Sequence, residues 1–254
     1  MHVRELMELH NVRPNGLLHV GAHHAEEAEE AEEYIENGLN GQGKITWVEA
    51  QSEFAKEIEL RLDSKVHKVL CAVAWNVSNV PMTFKITSKS ASSSLFDLGL
   101  HSKTYPDIKV IETLNVMTVR LDELLDATIG FDMVILDIQG AESQAIDGLG
   151  ERIKEVKWIF TEISRNELYE GSTLVDDFDR QLAHLGFKRV FTVWDRKAGW
   201  GDALYARETI YQVSGLQRIR STLKRFSRCV RSYIPQKLFP VMVRVKSLLK
   251  GLIS

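Results

Sequence analysis

Residues 17–36 read LLHVGAHHAEEAEEAEEYIE. A short apolar run ends at Gly21, and a glutamate-rich stretch with helical spacing follows. Strand, tight turn and helix in that order open a nucleotide-binding α/β unit. The dinucleotide form of this turn carries G-x-G-x-x-G, so that backbone amides and a helix N-terminus can meet a pyrophosphate. Here only Gly21 is present, and Glu26, Glu27, Glu29 and Glu30 follow it. Acids suit the positive end of a helix, but they oppose a doubly charged pyrophosphate.

Outward from this stretch, apolar runs alternate with helical patterns. Candidate strands are 17–20, 45–49, 66–73, 133–137, 158–163 and 188–193, and candidate helices are 26–37, 53–62, 142–149 and 174–185. Continuous apolar strands separated by helices predict a mostly parallel sheet covered on both faces. Residues 80–87 read as an extra strand, and 91–114 as a polar insertion. Ligands of such sheets bind beyond the carboxyl ends of the strands. Three of the predicted strands end in or near a carboxylate: Glu49, Asp137 and Glu162. Glu49 stands 28 residues beyond Gly21, where an acid that binds ribose hydroxyls belongs.

A ribose acid combined with an acidic turn favours a ligand without phosphates. S-adenosylmethionine offers a ribose, an adenine, an amino acid and a sulfonium cation, all compatible with acidic strand ends. Many of the glutamates also suit a solvated helix face, so NAD stays open on this ground alone. The donor-binding set expected is Gly21, Ala22, His23, Glu26, Glu49, Ala72 and Asp137.

The 254-residue chain is 44% hydrophobic and 26% charged, which fits a globular α/β protein. Cys71 and Cys229 lie far apart without a CxxC pattern, so neither a disulfide framework nor a thiolate zinc site is expected. No segment approaches the roughly 20 apolar residues of a membrane span, and a cytoplasmic location is the expectation. The net charge of −3 hides an asymmetry: residues 207–254 hold 11 Lys and Arg against Glu208, the rest 21 against 34 acids. In that tail Leu216, Ile219, Leu223, Phe226, Val230 and Ile234 share one helical face, and a second basic amphipathic segment follows Pro235. Such a tail suits an anionic membrane surface, at the inner face of a membrane, and equally self-association or packing on its own domain. The acidic body argues against nucleic acid.

The pieces HVGAHHAEEA, WVEAQ, SSSL (92–95), TVRLDELL (118–125), LDIQGAE (136–142), FTEIS (160–164) and LYEGSTLVDDFDRQLAHLGF (168–187) occur in that order. Together they resemble the FkbM-type methyltransferases, a class I S-adenosylmethionine-dependent family, from about residue 17 to 207. The resemblance implies an α/β fold: a Rossmann-like, mostly parallel seven-stranded sheet with helices on both faces and an antiparallel last strand. Residues 202–207 would lie in its closing hairpin. The chain then divides into a methyltransferase domain, 1–207, and a helical tail, 208–254. The resemblance further implies O-methylation of a hydroxylated acceptor: a sugar, glycan or glycolipid, or a small natural product. Two departures stand out: Ala25 where glycine is common, and Gln139 where an acid is common. Gln139 removes a charge, which weakens the case for a metal, and none is expected.

Methyl transfer to oxygen requires the acceptor held in line with the methyl group and its proton removed. Asp137, His23 and Glu162 are the candidate catalytic residues. Asp137 can orient the donor or acceptor or act as base, with a cap on the next helix as the alternative. His23 can touch the donor or only shape its loop. Ser93, Ser94, His101 and Glu142 are candidates for the acceptor side, with a serine turn and a helix-capping acid as the alternatives. Two other functions fit the same residues: an NAD-linked oxidoreductase, and a non-catalytic donor-binding scaffold that recruits a partner or membrane through the tail.

Overall fold

The computed structural model describes residues 7, 10, 12–25, 44–195 and 198–210. In chain order its elements are β1 (Gly16–Val20), β2 (Lys44–Glu49), α1 (Ser52–Arg61), β3 (His67–Cys71), β4 (Val73–Trp75), β5 (Pro81–Thr87) and α2 (His101–Thr104). There follow β6 (Val110–Arg120), α3 (Leu121–Leu124), β7 (Met133–Leu136), α4 (Glu142–Gly148), β8 (Trp158–Ser164), α5 (Val175–His184), β9 (Phe187–Trp194) and β10 (Trp200–Arg207). The expected helix at 26–37, Glu26 itself and the two basic tail segments lie outside the described residues.

Seven strands form one sheet in the order β3-β2-β1-β7-β8-β10-β9. Strand β1 pairs in parallel with both β2 and β7, and β10 alone runs antiparallel to its neighbours. Side chains alternate between the two faces with the strand period of two. Leu18, Val20, Val134, Leu136, Ile159 and Ile163 pack on one face with α4 and α5. Leu17, Met133, Ile135, Trp158 and Phe160 pack on the other, where Ile58 of α1 joins them. Near-continuous apolar strands are therefore needed because both faces are covered. Helix α5 shows the matching stripe, with Val175, Phe178 and Leu182 buried and Asp176 and Asp177 in the first turn, where acids suit the helix dipole. At the amino end of the sheet, Asp132 accepts hydrogen bonds from Asn15 N (2.7 Å) and Lys157 Nζ (2.9 Å), tying β1, β7 and β8 in register.

The structure corrects two expectations. The run 66–73 is not one strand. After Cys71 the chain leaves the main sheet, and β4 pairs instead with β6 in a second sheet of order β4-β6-β5. A close approach accompanies this turn: a Cβ on Gly148 of α4 would stand 2.2 Å from the Trp75 carbonyl oxygen. The insertion 91–114 is not wholly irregular either. Its last part begins the 11-residue strand β6, which pairs antiparallel with β5. Alternation at Leu114, Val116 and Thr118 carries the strand signal, and the exposed stretch Val110–Arg120 weakens it because most of its residues meet water.

Candidate active site at the strand ends

Strand order reverses at β1, with β2 on one side and β7 on the other. Such a switch point opens a crevice beyond the carboxyl ends of the strands. A cavity of about 230 Å³ lies there, and Gly21, Ala22, His23, Glu49, Ala72 and Asp137 all line it. Gly21 has φ +87°, and a Cβ on it would meet the Asp137 carbonyl oxygen at 1.9 Å. Glycine is thus required by the neighbouring strand end. The turn then takes two left-handed residues, His23 (φ 50°) and Ala25 (φ 44°). Left-handed backbone costs a non-glycine residue about 1–2 kcal/mol, which explains why position 25 favours glycine.

Glu49 is 4% exposed. Its Oε2 accepts from His23 N (2.7 Å) and its Oε1 from Gln51 N (2.7 Å). These bonds aim the carboxylate and leave each oxygen capacity for one further donor. Burial raises the Glu49 pKa, and the backbone N–H bonds oppose that rise. The two adjacent histidines divide their roles. His23 lines the cavity, and its Nε2 shares a 2.8 Å hydrogen bond with Ser90 Oγ from the insertion. His24 turns outward, where Nδ1 pairs with Glu57 Oε2 of α1 at 2.9 Å.

Asp137 follows β7 and opens on the cavity. Asp137 keeps solvent-exposed surface, and desolvation by the protein around it raises its pKa. The charge of Asp202 adds to the rise, while a 2.5 Å hydrogen bond from Gln139 Nε2 opposes it. Gln139 is itself left-handed (φ 53°), and Gly140 follows at φ 107°. Glu142 holds this loop from the helix side, accepting from Ile138 N (3.1 Å) and Gly140 N (3.0 Å). Burial pushes Glu142 up to about 7. Ser94 Oγ holds the loop from the other side, donating to the Gln139 carbonyl at 2.7 Å. Glu162 on β8 stands opposite Asp202 on β10. Burial raises its pKa well above the carboxylate range, and the charges of Asp137, Glu142 and Asp202 add to that. Among the described residues, no group of three or more His, Cys, Asp or Glu is arranged to hold a metal ion.

The acceptor-side candidates separate. Ser93 lines the main cavity, but its Oγ accepts from Thr87 N at 3.1 Å. Ser94 is spent on the Gln139 loop. His101 lines neither of the cavities at the strand ends: it is buried against Tyr105 and Tyr169, with ring centroids 4.9 and 5.3 Å away. Glu142 and Glu162 border a second, water-sized cavity of about 20 Å³ with Tyr169 and Ser172. Asp137 caps no helix, since α4 begins after Ala141 without a side-chain cap. Sequence reasoning missed Ser90, Phe84, Leu95 and Tyr169. Phe84 and Leu95, with Ala72 and Ala74, form the apolar end of the cavity. They come from β5 and the insertion, which fold over the main sheet only in three dimensions.

This strand order, with its one antiparallel strand and an acid-lined crevice at the switch point, defines a Rossmann-like methyltransferase fold. Residues 19–189 match the family model described as the methyltransferase FkbM domain. The chain belongs to the FkbM methyltransferase family, whose methyl donor is S-adenosylmethionine. Over 73 residues it is 36% identical to the 2-O-methyltransferase NoeI of Sinorhizobium fredii (strain NBRC 101917 / NGR234), a stretch that covers 28% of this chain and 30% of that protein. Among solved structures it is similar to methyltransferase FkbM from Methylobacillus flagellatus KT (14% identity, TM-score 0.44, 75% of this chain and 43% of that one). It is also similar to a SAM-dependent methyltransferase from Aquifex aeolicus (13% identity, TM-score 0.41, 80% and 87%). The chain thus spans less than half the length of NoeI and of the Methylobacillus protein.

Proposed function

We propose that the protein transfers the methyl group of S-adenosylmethionine to a hydroxyl of a sugar, glycan or glycolipid. The observation that carries this reading is Glu49: a buried carboxylate, aimed by two backbone amides, beside a turn with no phosphate cradle. It suits the two ribose hydroxyls of a donor. The apolar end at Ala72, Ala74, Phe84 and Leu95 suits adenine, and Asp137 suits the cationic end. The description of NoeI as a 2-O-methyltransferase supports oxygen as the acceptor atom, and the hydroxyl-rich class of acceptor is our extension of it.

In this reading the acceptor oxygen attacks the methyl carbon in line. The C–O bond forms as the C–S bond breaks, and its electron pair stays on sulfur, which becomes a neutral thioether. The hydroxyl proton passes to a carboxylate. Of the two carboxylates that line the cavity, Glu49 is held by two backbone amides and Asp137 takes that role, while the fold holds the reactants in place, a contribution that can reach several kcal/mol.

The test is calorimetry with S-adenosylmethionine and NAD, followed by a donor-consumption screen against nucleotide sugars, glycolipids and oligosaccharides. We expect the methyl donor to bind, NAD not to, and at least one hydroxylated acceptor to be methylated. Asp137→Asn should lower turnover or donor affinity at least about tenfold, or ~1.4 kcal/mol. NAD binding in place of the methyl donor, or donor binding without turnover on any acceptor, would refute the proposal.

A further inference from the structure

The hydroxyl of Tyr169 donates to Gln139 Oε1 at 2.5 Å, and Gln139 Nε2 donates to Asp137 Oδ1 at 2.5 Å. An amide has one accepting and one donating end. Once Tyr169 occupies the oxygen, the nitrogen must face Asp137. Tyr169 is 3% exposed. Burial, together with the charges of Glu162, Asp137 and Glu142, keeps its phenol protonated, and hence a donor. The loop backbone is pinned as well, by Ser94 Oγ on the Gln139 carbonyl and by Glu142 on Gly140 N. Gln139 holds a left-handed backbone that glutamine adopts only under such constraint.

We propose that Tyr169 and Gln139 are positioning residues that aim Asp137 at the methyl donor. Among the described residues, the Gln139 bond is the one hydrogen bond on this carboxylate, so Oδ2 keeps its lone pairs for the cavity. The other ionisable groups acting on the cluster are Asp202 on β10, Glu162 on β8 and Glu142 of α4, all acids that favour protonation of Asp137. Gln139 offsets them with a donated hydrogen bond. A glutamate at 139 would add a charge and lose that donor, so this chain's amide at an ordinarily acidic position is the operative feature. Strands β2 and β7 flank β1, which places Glu49 and Asp137 two strand spacings apart, about 10 Å. A donor with its ribose on Glu49 turns its cationic end toward Asp137.

The inference rests on the reading of the cavity as a methyl-donor site, and the test separates the two. Calorimetry from pH 5.5 to 8.5 compares S-adenosylmethionine with S-adenosylhomocysteine, which lacks the sulfonium charge. The preference for the cation reports ionised Asp137, and no acceptor is needed. In the native protein we expect this preference to fade toward acid and in Asp137→Asn to be flat with pH. Gln139→Glu, Gln139→Met and Tyr169→Phe should move the midpoint upward by about half a pH unit or more, equivalent to roughly threefold in the preference. Affinity for S-adenosylhomocysteine should stay within about twofold, because its ribose and adenine contacts are untouched. If Tyr169→Phe fails to fold, the half-exposed position 139 carries the test. Unmoved midpoints in the Gln139 variants, with Asp137→Asn still flat, would overturn the relay and leave the donor site standing. Absence of S-adenosylmethionine binding by the native protein would overturn both.

Discussion

Glu142 offers a measurement that needs neither donor nor acceptor. Its carboxyl is buried, and burial pushes its pKa from the usual glutamate value of 4.5 to about 7. The unfolded chain therefore gives up this proton at lower pH than the folded one. Its contribution to stability is full below about pH 4.5 and is lost as pH rises through about 7. A shift of about 2.5 units corresponds to roughly 3 kcal/mol at the alkaline limit, of which about 2–3 kcal/mol falls between pH 5 and 8. Glu142→Gln abolishes the titration. Its amide oxygen, placed where Oε1 now lies, can still accept from Ile138 N and Gly140 N. Urea denaturation followed by tryptophan fluorescence should show native stability falling by about 2–3 kcal/mol more than the variant's from pH 5 to 8. Asp137 and Glu162 titrate in both proteins, so the difference between the two curves isolates Glu142 and its coupling to them. An offset added to the pH-dependent difference would report local repacking. Curves that stay parallel from pH 5 to 8, with or without an offset, would refute the claim that Glu142 is buried as an acid of raised pKa.

Three further substitutions test Glu49 and the turn after β1. Glu49→Gln should weaken S-adenosylmethionine binding at least about tenfold, or ~1.4 kcal/mol, because the amide nitrogen cannot accept from His23 N or Gln51 N; calorimetry reads this directly, and unchanged affinity would remove Glu49 from the ribose. Gly21→Ala should cost more than about 3 kcal/mol or prevent folding, since its Cβ would meet the Asp137 carbonyl oxygen at 1.9 Å. Ala25→Gly in the same turn should stay within about 1 kcal/mol of the native protein, as relief of left-handed strain offsets lost chain stiffness; equal melting temperatures for the two variants would contradict this account.

The main sheet was legible because its central strands β1, β2, β7 and β8 are buried on both faces and so read as nearly unbroken apolar runs. Strand β6 was not, because a strand with one wet face dilutes that signal. Glu49 and Asp137 were legible as strand-end acids, since position along a strand is a local property, whereas Glu162 lies inside β8, which runs on to Ser164. What they do depends in part on partners remote in sequence: Glu49 on the amide of His23 besides that of nearby Gln51, Asp137 on nearby Gln139 and, through it, on Tyr169. Spacing within a segment cannot reveal a hydrogen bond that closes only when β8 settles beside β7. Gly21 shows the same limit from the other side. Its residue type is predicted by the turn, but the physical demand comes from Asp137, whose carbonyl occupies the space of the missing side chain. The glycine of the donor turn and the acid of the neighbouring strand are therefore one unit. Any residue larger than glycine at 21 would push apart the ends of β1 and β7, so the crevice depends on their contact as much as on the acids that line it.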